Sequence, residues 1–232
     1  MAWSTTARNH LPLPEPELSR QDTALLVVDM QYFDAHPDYG MGRQLLDAGR
    51  FGEAKYYFSE VVRIIPNIAA LQRVFREREM EVLHSRVKAL TQNGRDITLH
   101  HRAKGHRYLP NTKEVEFLEE LAPVGDEIVI DKSTTSCFTS TGLDLVLRSL
   151  GVRKIVVAGV DTCYCVESTI REAADLGYQV VLVSDGCATS SPEIQAHALA
   201  ELDNDFCVVR PAEWVLERLM ELAGIGRSHY RT

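Results

Sequence analysis

The sequence predicts an α/β fold: a three-layer α/β/α arrangement of Rossmann-like type with a mostly parallel sheet of about six strands. Three observations carry that expectation. Apolar runs of strand length alternate along the chain with longer stretches of helical periodicity. Most of the runs are continuously apolar, as strands buried on both faces are, instead of alternating apolar with polar. Glycines and prolines stand where helices of that length would stop and start.

The first strand is "TALLVVD" (23–29), whose apolar run ends on an acid. Further strands follow at "MEVLHSR" (80–86), "DEIVIDK" (126–132), "KIVVAGV" (154–160), "YQVVLVSD" (178–185) and "FCVVRP" (206–211). Helices are expected over 67–80, 139–151, 165–177, 192–205 and 211–224. Gly151 and Gly177 suit the left-handed position just past a helix, and Pro192 and Pro211 suit first turns. Alternation at these lengths means right-handed βαβ crossovers and parallel pairing. Residues 23–232 are expected to form one domain, preceded by a proline-rich polar arm over 1–22. Two stretches, 32–65 and 86–110, interrupt the alternation; connections of that length are usually functional or lie at an interface.

Composition narrows the function classes. With 232 residues, 45% hydrophobic and 25% charged, the chain has enough apolar material for a sizeable core. A net charge of −8 argues against nucleic acid as a partner, since phosphate binding needs a basic surface. No apolar run approaches the ~20 residues a membrane helix needs, and the N-terminal stretch lacks the apolar centre of a secretory signal. A cytoplasmic location is the expectation, and cysteines 137, 163, 165, 187 and 207 then read as reduced thiols. Cys163 and Cys165 stand closer together than the usual zinc pair, with no second matching pair, so no metal or cofactor is expected.

In an open parallel sheet, ligands bind beyond the carboxyl ends of the strands. Asp29, Lys132 and the cysteine pair of "GVDTCYCVES" (159–168) each end an apolar strand. Alone, such an acid is usually a turn residue, such a lysine solvated and such a cysteine a small hydrophobe. An acid, a base and a thiol expected together on one sheet edge are harder to dismiss. With Thr162 as N-cap, Cys163 falls on the apolar stripe of Val166, Ile170 and Gly177, while Cys165 heads a column with Ser168, Thr169 and Glu172. Cys165 therefore looks into the crevice from a first helical turn, where free N–H groups favour a thiolate. Cys163 is expected to pack.

The chain resembles the isochorismatase-like cysteine hydrolases over about residues 20–210, through "LLVVDMQ", "IDKSTTSCFTST" and "VVAGVDTCYCVESTIREAADLGYQVVLVSDGCAT". That resemblance implies Asp29, Lys132 and Cys165 as the catalytic residues, with Phe138 and Thr141 in the segment after the lysine. It also implies a non-proline cis peptide at Val160–Asp161 and an oxyanion hole made by the N–H groups of Asp161 and Cys165. The family's nicotinamidases carry an Asp-x-His…His metal motif; "HSRVKALTQ" after the second strand has no such motif, and His84, His100, His101 and His106 match no ligand set. Isochorismatase itself cleaves a vinyl ether without a cysteine nucleophile, so Cys165 speaks for C–N cleavage. The expected substrate is a small amide or ureide of the biuret, triuret or ureidoacrylate type. Isochorismatase- or nicotinamidase-like hydrolysis is the alternative, and a thiol redox sensor would need neither Asp29 nor Lys132. Residues 84–107 are locally basic and could bind a substrate carboxylate or form a subunit interface or surface loop; Arg86, Gln92 and Asn93 could contact a polar substrate between aromatic walls of Phe33, Tyr39, Phe138 and Tyr164. Resemblance further implies a homo-oligomer, dimer or tetramer, and the aromatic 51–62 stretch is a candidate contact.

Overall fold

Strand β1 (Thr23–Val28) is buried at every position, and its alternate side chains divide between two cores. Leu25 and Val27 enter one apolar cluster, while Ala24, Leu26 and Val28 enter the other. That division explains why the run carries no polar alternation: both faces of the sheet are covered. The computed structural model describes residues 11–222. After β1 the chain forms α1 (Tyr32–Ala35), α2 (Gly40–Asp47), α3 (Lys55–Glu77), β2 (Glu81–Val87), α4 (Leu99–Ala103), β3 (Ile128–Lys132), α5 (Leu143–Ser149) and β4 (Lys154–Val160). It ends with α6 (Glu167–Asp175), β5 (Gln179–Ala188), α7 (Pro192–Leu202), β6 (Val208–Arg210) and α8 (Ala212–Glu221).

The six strands pair in parallel in the order β3-β2-β1-β4-β5-β6. Helices α3 and α8 bury Val61, Ile64, Ile68, Leu71, Val215 and Leu219 on one face of this sheet. Across it, α5, α6 and α7 bury Leu143, Leu147, Ile170, Ala173 and Leu202 on the other. The strand order reverses direction between β1 and β4, so a crevice opens past their carboxyl ends.

Gly159 sets the closeness of that pair. It lies opposite Val28 in the register, at φ +124, and a Cβ there would overlap the Val28 carbonyl oxygen. Gly159→Ala is expected to cost about 3 kcal/mol of stability, from a forbidden backbone angle and a clash with immovable backbone. A denaturant midpoint unchanged from the native chain would refute this.

The strand positions agree with the sequence reading to within three residues. Two differences concern helices. The 32–65 stretch is not a plain connection: it holds α1, α2 and the first three turns of α3, which begins at Lys55 instead of 67. Pro66 conceals this, because a proline normally marks a helix start; here it lies inside α3, and the carbonyl it leaves unbonded belongs to Val62, which is 66% exposed. Pro211 caps α8 from outside instead of opening it, whereas Pro192 stands in the first turn of α7 behind the Ser191 cap. Gly151 (φ +75) and Gly177 (φ +91) take the left-handed positions expected of them.

The aromatic 51–62 stretch is divided between core and surface, with Val62 exposed. Tyr57, Phe58 and Val61 are buried, and Phe51 stacks on Phe58 at 5.9 Å. In the described part of the arm, Glu15 receives Arg210 Nε at 2.9 Å and pairs with Arg218 at 3.3 Å; residues 1–10 and 223–232 lie outside the described residues.

Candidate active site

Asp29 leaves β1 in the left-handed region, φ +52, a conformation that aspartate tolerates better than most side chains. Its backbone N–H donates to the Ser85 carbonyl and its Oδ1 accepts from the Ser85 hydroxyl at 2.8 Å. Gln31 clamps the same exit: its amide donates to the carbonyls of Val87 and Glu114 and accepts the Val87 N–H. Asp29 is thereby fixed at the top of the β1–β2 pair.

Lys132, the last residue of β3, is 1% exposed, and its Nζ lies 2.8 Å from Asp29 Oδ2. The ammonium also donates to the carbonyls of Thr134 and Thr135 at 3.0 Å and to Cys165 Sγ at 3.3 Å. Burial alone would lower its pKa, but the charge of Asp29 and the neighbouring thiols Cys165 and Cys137 hold it well above the ordinary lysine value. Lys132 is a fixed buried cation.

Cys165 comes off β4 through a cis Val160–Asp161 peptide bond and a turn wider than an α-helix. In that turn the Glu167 N–H reaches back to the Thr162 carbonyl, a π-type bond, before α6 begins. The cap is Asp161, whose carboxylate accepts the Cys163 N–H; Thr162, expected in that role, is fully buried. The N–H groups of Tyr164 and Val166 both donate to the Asp161 carbonyl, so the turn folds its first amides around this one residue. Burial raises the Cys165 thiol well above its ordinary pKa; Lys132 pulls it down, while the charge of Asp29 and a hydrogen bond to that carboxylate push it up. The thiol thus sits between a cation and a carboxylate that can take its proton.

The wide turn also changes the helix-face argument. Cys163 does not pack into the apolar stripe: it is half-buried in a polar niche, hydrogen-bonded to Asp161 and to the Thr189 hydroxyl at 3.1 Å, and its thiol is pushed up to about 11 by burial and Asp161. Thr169, placed on the crevice side by the sequence reading, is buried and donates to the Cys165 carbonyl.

A family model described as the isochorismatase domain matches residues 23–213. The chain belongs to the isochorismatase family. It is 31% identical over 173 residues to the uncharacterized isochorismatase family protein YddQ of Bacillus subtilis, covering 75% of this chain and 81% of the relative. It is 29% identical over 197 residues to the ureidoacrylate amidohydrolase RutB of Acinetobacter baylyi, covering 77% and 76%. Among solved structures it is similar to a cysteine hydrolase from Pseudomonas syringae pv. phaseolicola, with TM-score 0.77, 26% identity and coverage of 90% and 98%.

Within this isochorismatase-family chain the remaining expected contacts separate. Tyr164 stands 54% exposed beside Cys165, with the Lys104 ammonium 5.2 Å from its ring centre. Phe33 is buried edge-on against Tyr108 and His106, and half-buried Tyr39 contacts Tyr32 and His36. Phe138 is a core residue stacked on Tyr178 at 5.9 Å, and Thr141 bonds the Cys137 carbonyl at 2.5 Å. Arg86, expected to meet a substrate carboxylate, is instead held by Asp131 at 2.6 Å and by the Val115 carbonyl at 2.8 Å. Lys88, just past β2, shares the same aspartate, which accounts for two cations of the basic stretch. Gln92 and Asn93 are exposed on the following loop. Among the described residues, no group of three or more His, Cys, Asp or Glu side chains is placed to hold a metal ion.

Sequence reasoning missed three groups near the thiol. Asp34 of α1, Tyr57 of α3 and Tyr108 all lie within electrostatic reach of Cys165. Period-based reading had no signal for them, because each sits in or beyond a stretch taken for loop. His101 and His106 have partners within the chain: His101 bonds the Tyr108 hydroxyl at 2.6 Å, and His106 packs on Phe33. Burial, with neighbouring cations and histidines, lowers both to about 4. A depressed histidine stabilises the fold above the unfolded value and loses that contribution as pH falls toward the folded value. Thermal stability is therefore expected to decline between about pH 6.5 and about 4, and the double variant His101→Gln/His106→Gln should show a shallower decline. An unchanged slope in a scan of melting temperature against pH would count against this.

Proposed function

We propose that the chain is a cysteine-dependent amidohydrolase that cleaves a C–N bond of a small amide, carbamoyl or ureido compound and releases ammonia through a thioester. The observation that carries this reading is the buried Asp29–Lys132 pair with the Cys165 thiol 3.3 Å from the ammonium. The resemblance to a protein named as a ureidoacrylate amidohydrolase supports the same bond class.

Asp29 takes the Sγ proton, and the sulfur attacks the carbonyl carbon to give a tetrahedral oxyanion. The N–H groups of Asp161 and Cys165 face that oxyanion; one such donor is typically worth ~3 kcal/mol in the transition state. The C–N bond breaks as Asp29 returns the proton to nitrogen, and ammonia departs. Water, deprotonated by Asp29, then attacks the thioester, and the sulfur leaves with that proton. Lys132 keeps the local charge balanced throughout. A homo-oligomer belongs to this reading, and exposed Val62, Leu90 and Leu99 supply apolar surface for it.

Ammonia release from a panel of amides, linear ureides and carbamoyl amino acids tests the reaction class. Turnover should survive exhaustive chelation, because side chains and backbone supply nucleophile, base and oxyanion donors. A stoichiometric metal whose removal abolished turnover, or hydrolysis confined to isochorismate or nicotinamide, would refute the proposal.

A further inference from the structure

Asp34 takes no part in those steps, yet its charge acts on the Cys165 thiol. It is the third residue of α1, five positions past Asp29. Its Oδ2 is buried and, among the described residues, has no hydrogen-bond partner. The nearby Tyr57 hydroxyl donates to the Asp34 backbone carbonyl at 3.0 Å, which anchors the main chain and leaves the carboxyl unengaged. A buried polar atom without a partner is rare in a folded chain, and one within electrostatic reach of a nucleophile asks what ligand would complete it.

The surroundings say which ligand. Burial, followed by the charges of Asp29 and Asp161, drives the Asp34 carboxyl well above its ordinary range against the pull of Lys132. A carboxyl held toward its neutral form offers one O–H donor and one carbonyl acceptor. A primary amide or carbamoyl group presents the complementary carbonyl and N–H, so the two can pair at two points. A substrate carboxylate finds no such welcome. Lys132 is already engaged by Asp29, two carbonyls and the thiol, and Arg86 is engaged by Asp131. Lys104 is exposed at the rim, where solvent and salt screen it.

We propose that Asp34 is the specificity-determining residue of this site: its unpartnered carboxyl pairs with a neutral amide or carbamoyl group on the substrate, beyond the carbonyl that Cys165 attacks. This rests on the reading of Cys165 as nucleophile and narrows its substrates to those with a second, uncharged amide-like group.

Alkylation of Cys165, read by peptide mass and normalised to glutathione, tests the pairing without turnover. Iodoacetamide carries the amide; iodoacetonitrile is a neutral reagent of similar size without N–H donors; iodoacetate carries a carboxylate. Iodoacetamide should outpace iodoacetonitrile by at least ~10-fold, the scale of two modest hydrogen bonds. Asp34→Asn, which keeps one donor and one acceptor, should retain that preference, and Asp34→Leu should abolish it. A purely structural role would slow both neutral reagents alike and leave their ratio untouched. The proposal is overturned by an Asp34→Leu ratio equal to that of the native chain. It is equally overturned by an Asp34→Asn ratio that collapses with it, or by iodoacetate as the preferred reagent. Ureidoacetamide against N-propylurea repeats the comparison in kcat/KM. If neither urea releases ammonia while the alkylation ratios behave as expected, the proposed hydrolysis fails and the amide-binding role of Asp34 stands.

Discussion

Cys165→Ser is expected to lose essentially all turnover, by ~10⁴-fold or more, the scale on which a triad responds to loss of its nucleophile. A serine hydroxyl is a far weaker acid than a thiol, and a carboxylate is a poor base for it. Burial already holds the thiol well above its ordinary value, so little spare acidity remains to lose. Cys163→Ala should keep most activity. Its sulfur lies in the Asp161–Thr189 niche, with no bond to Lys132. Intact-mass trapping separates the two thiols: a slow substrate should leave its acyl mass on the native chain and on Cys163→Ala, and none on Cys165→Ser. An adduct that followed Cys163 would overturn the mechanism, since the contact that selects Cys165 is its distance of 3.3 Å from the buried ammonium.

The sheet was legible because its strands are continuously apolar, and no other short element in a chain of this size needs six such runs. Asp29 and Lys132 were legible for a related reason: each is a charged residue directly at the end of a buried run, where its side chain reaches the crevice. The choice between two cysteines was harder. Reasoning with an ideal α-helix favoured Cys165 but gave Cys163 and Thr169 the wrong surroundings, because the π-type turn shifts every side chain after Asp161. A hydrophobic period cannot reveal such a turn, which is made by where the backbone N–H groups go. Asp34 and Tyr57 escaped notice for a third reason. The helices carrying them lie in the long 32–65 stretch, where Pro66 hid the continuity of α3 and four-residue α1 is too short to show a period. Arg86 shows the opposite error: a basic cluster suggested an anion site, but its partner is Asp131, one strand away in the register.

Asp29→Asn separates the base from the charge balance, and its two effects run in opposite directions. The carboxylate now raises the Cys165 thiol, so its removal leaves Lys132 alone to pull the thiol down, and alkylation of Cys165 at neutral pH should accelerate. Turnover should nevertheless fall by ~10³-fold or more, because the leaving nitrogen has lost its acid and the attacking water its base. If Asp29 merely kept a thiolate in place, alkylation and turnover would instead fall together. Stability should also suffer, since Lys132 is left as a buried cation without its counterion; breaking one partner of such a pair costs about 3–5 kcal/mol. Lys132→Met alone should show the converse: a thiol raised further, slower alkylation, and Asp29 buried without its cation. The double variant Asp29→Asn/Lys132→Met removes both charges and should regain most of the stability lost by either single change, because neither group is left uncompensated. It should regain none of the turnover. A double variant no more stable than Asp29→Asn would mean that the two side chains do not share their desolvation. Restored activity would mean that the proton path runs through neither, and the mechanism would have to be built around another base.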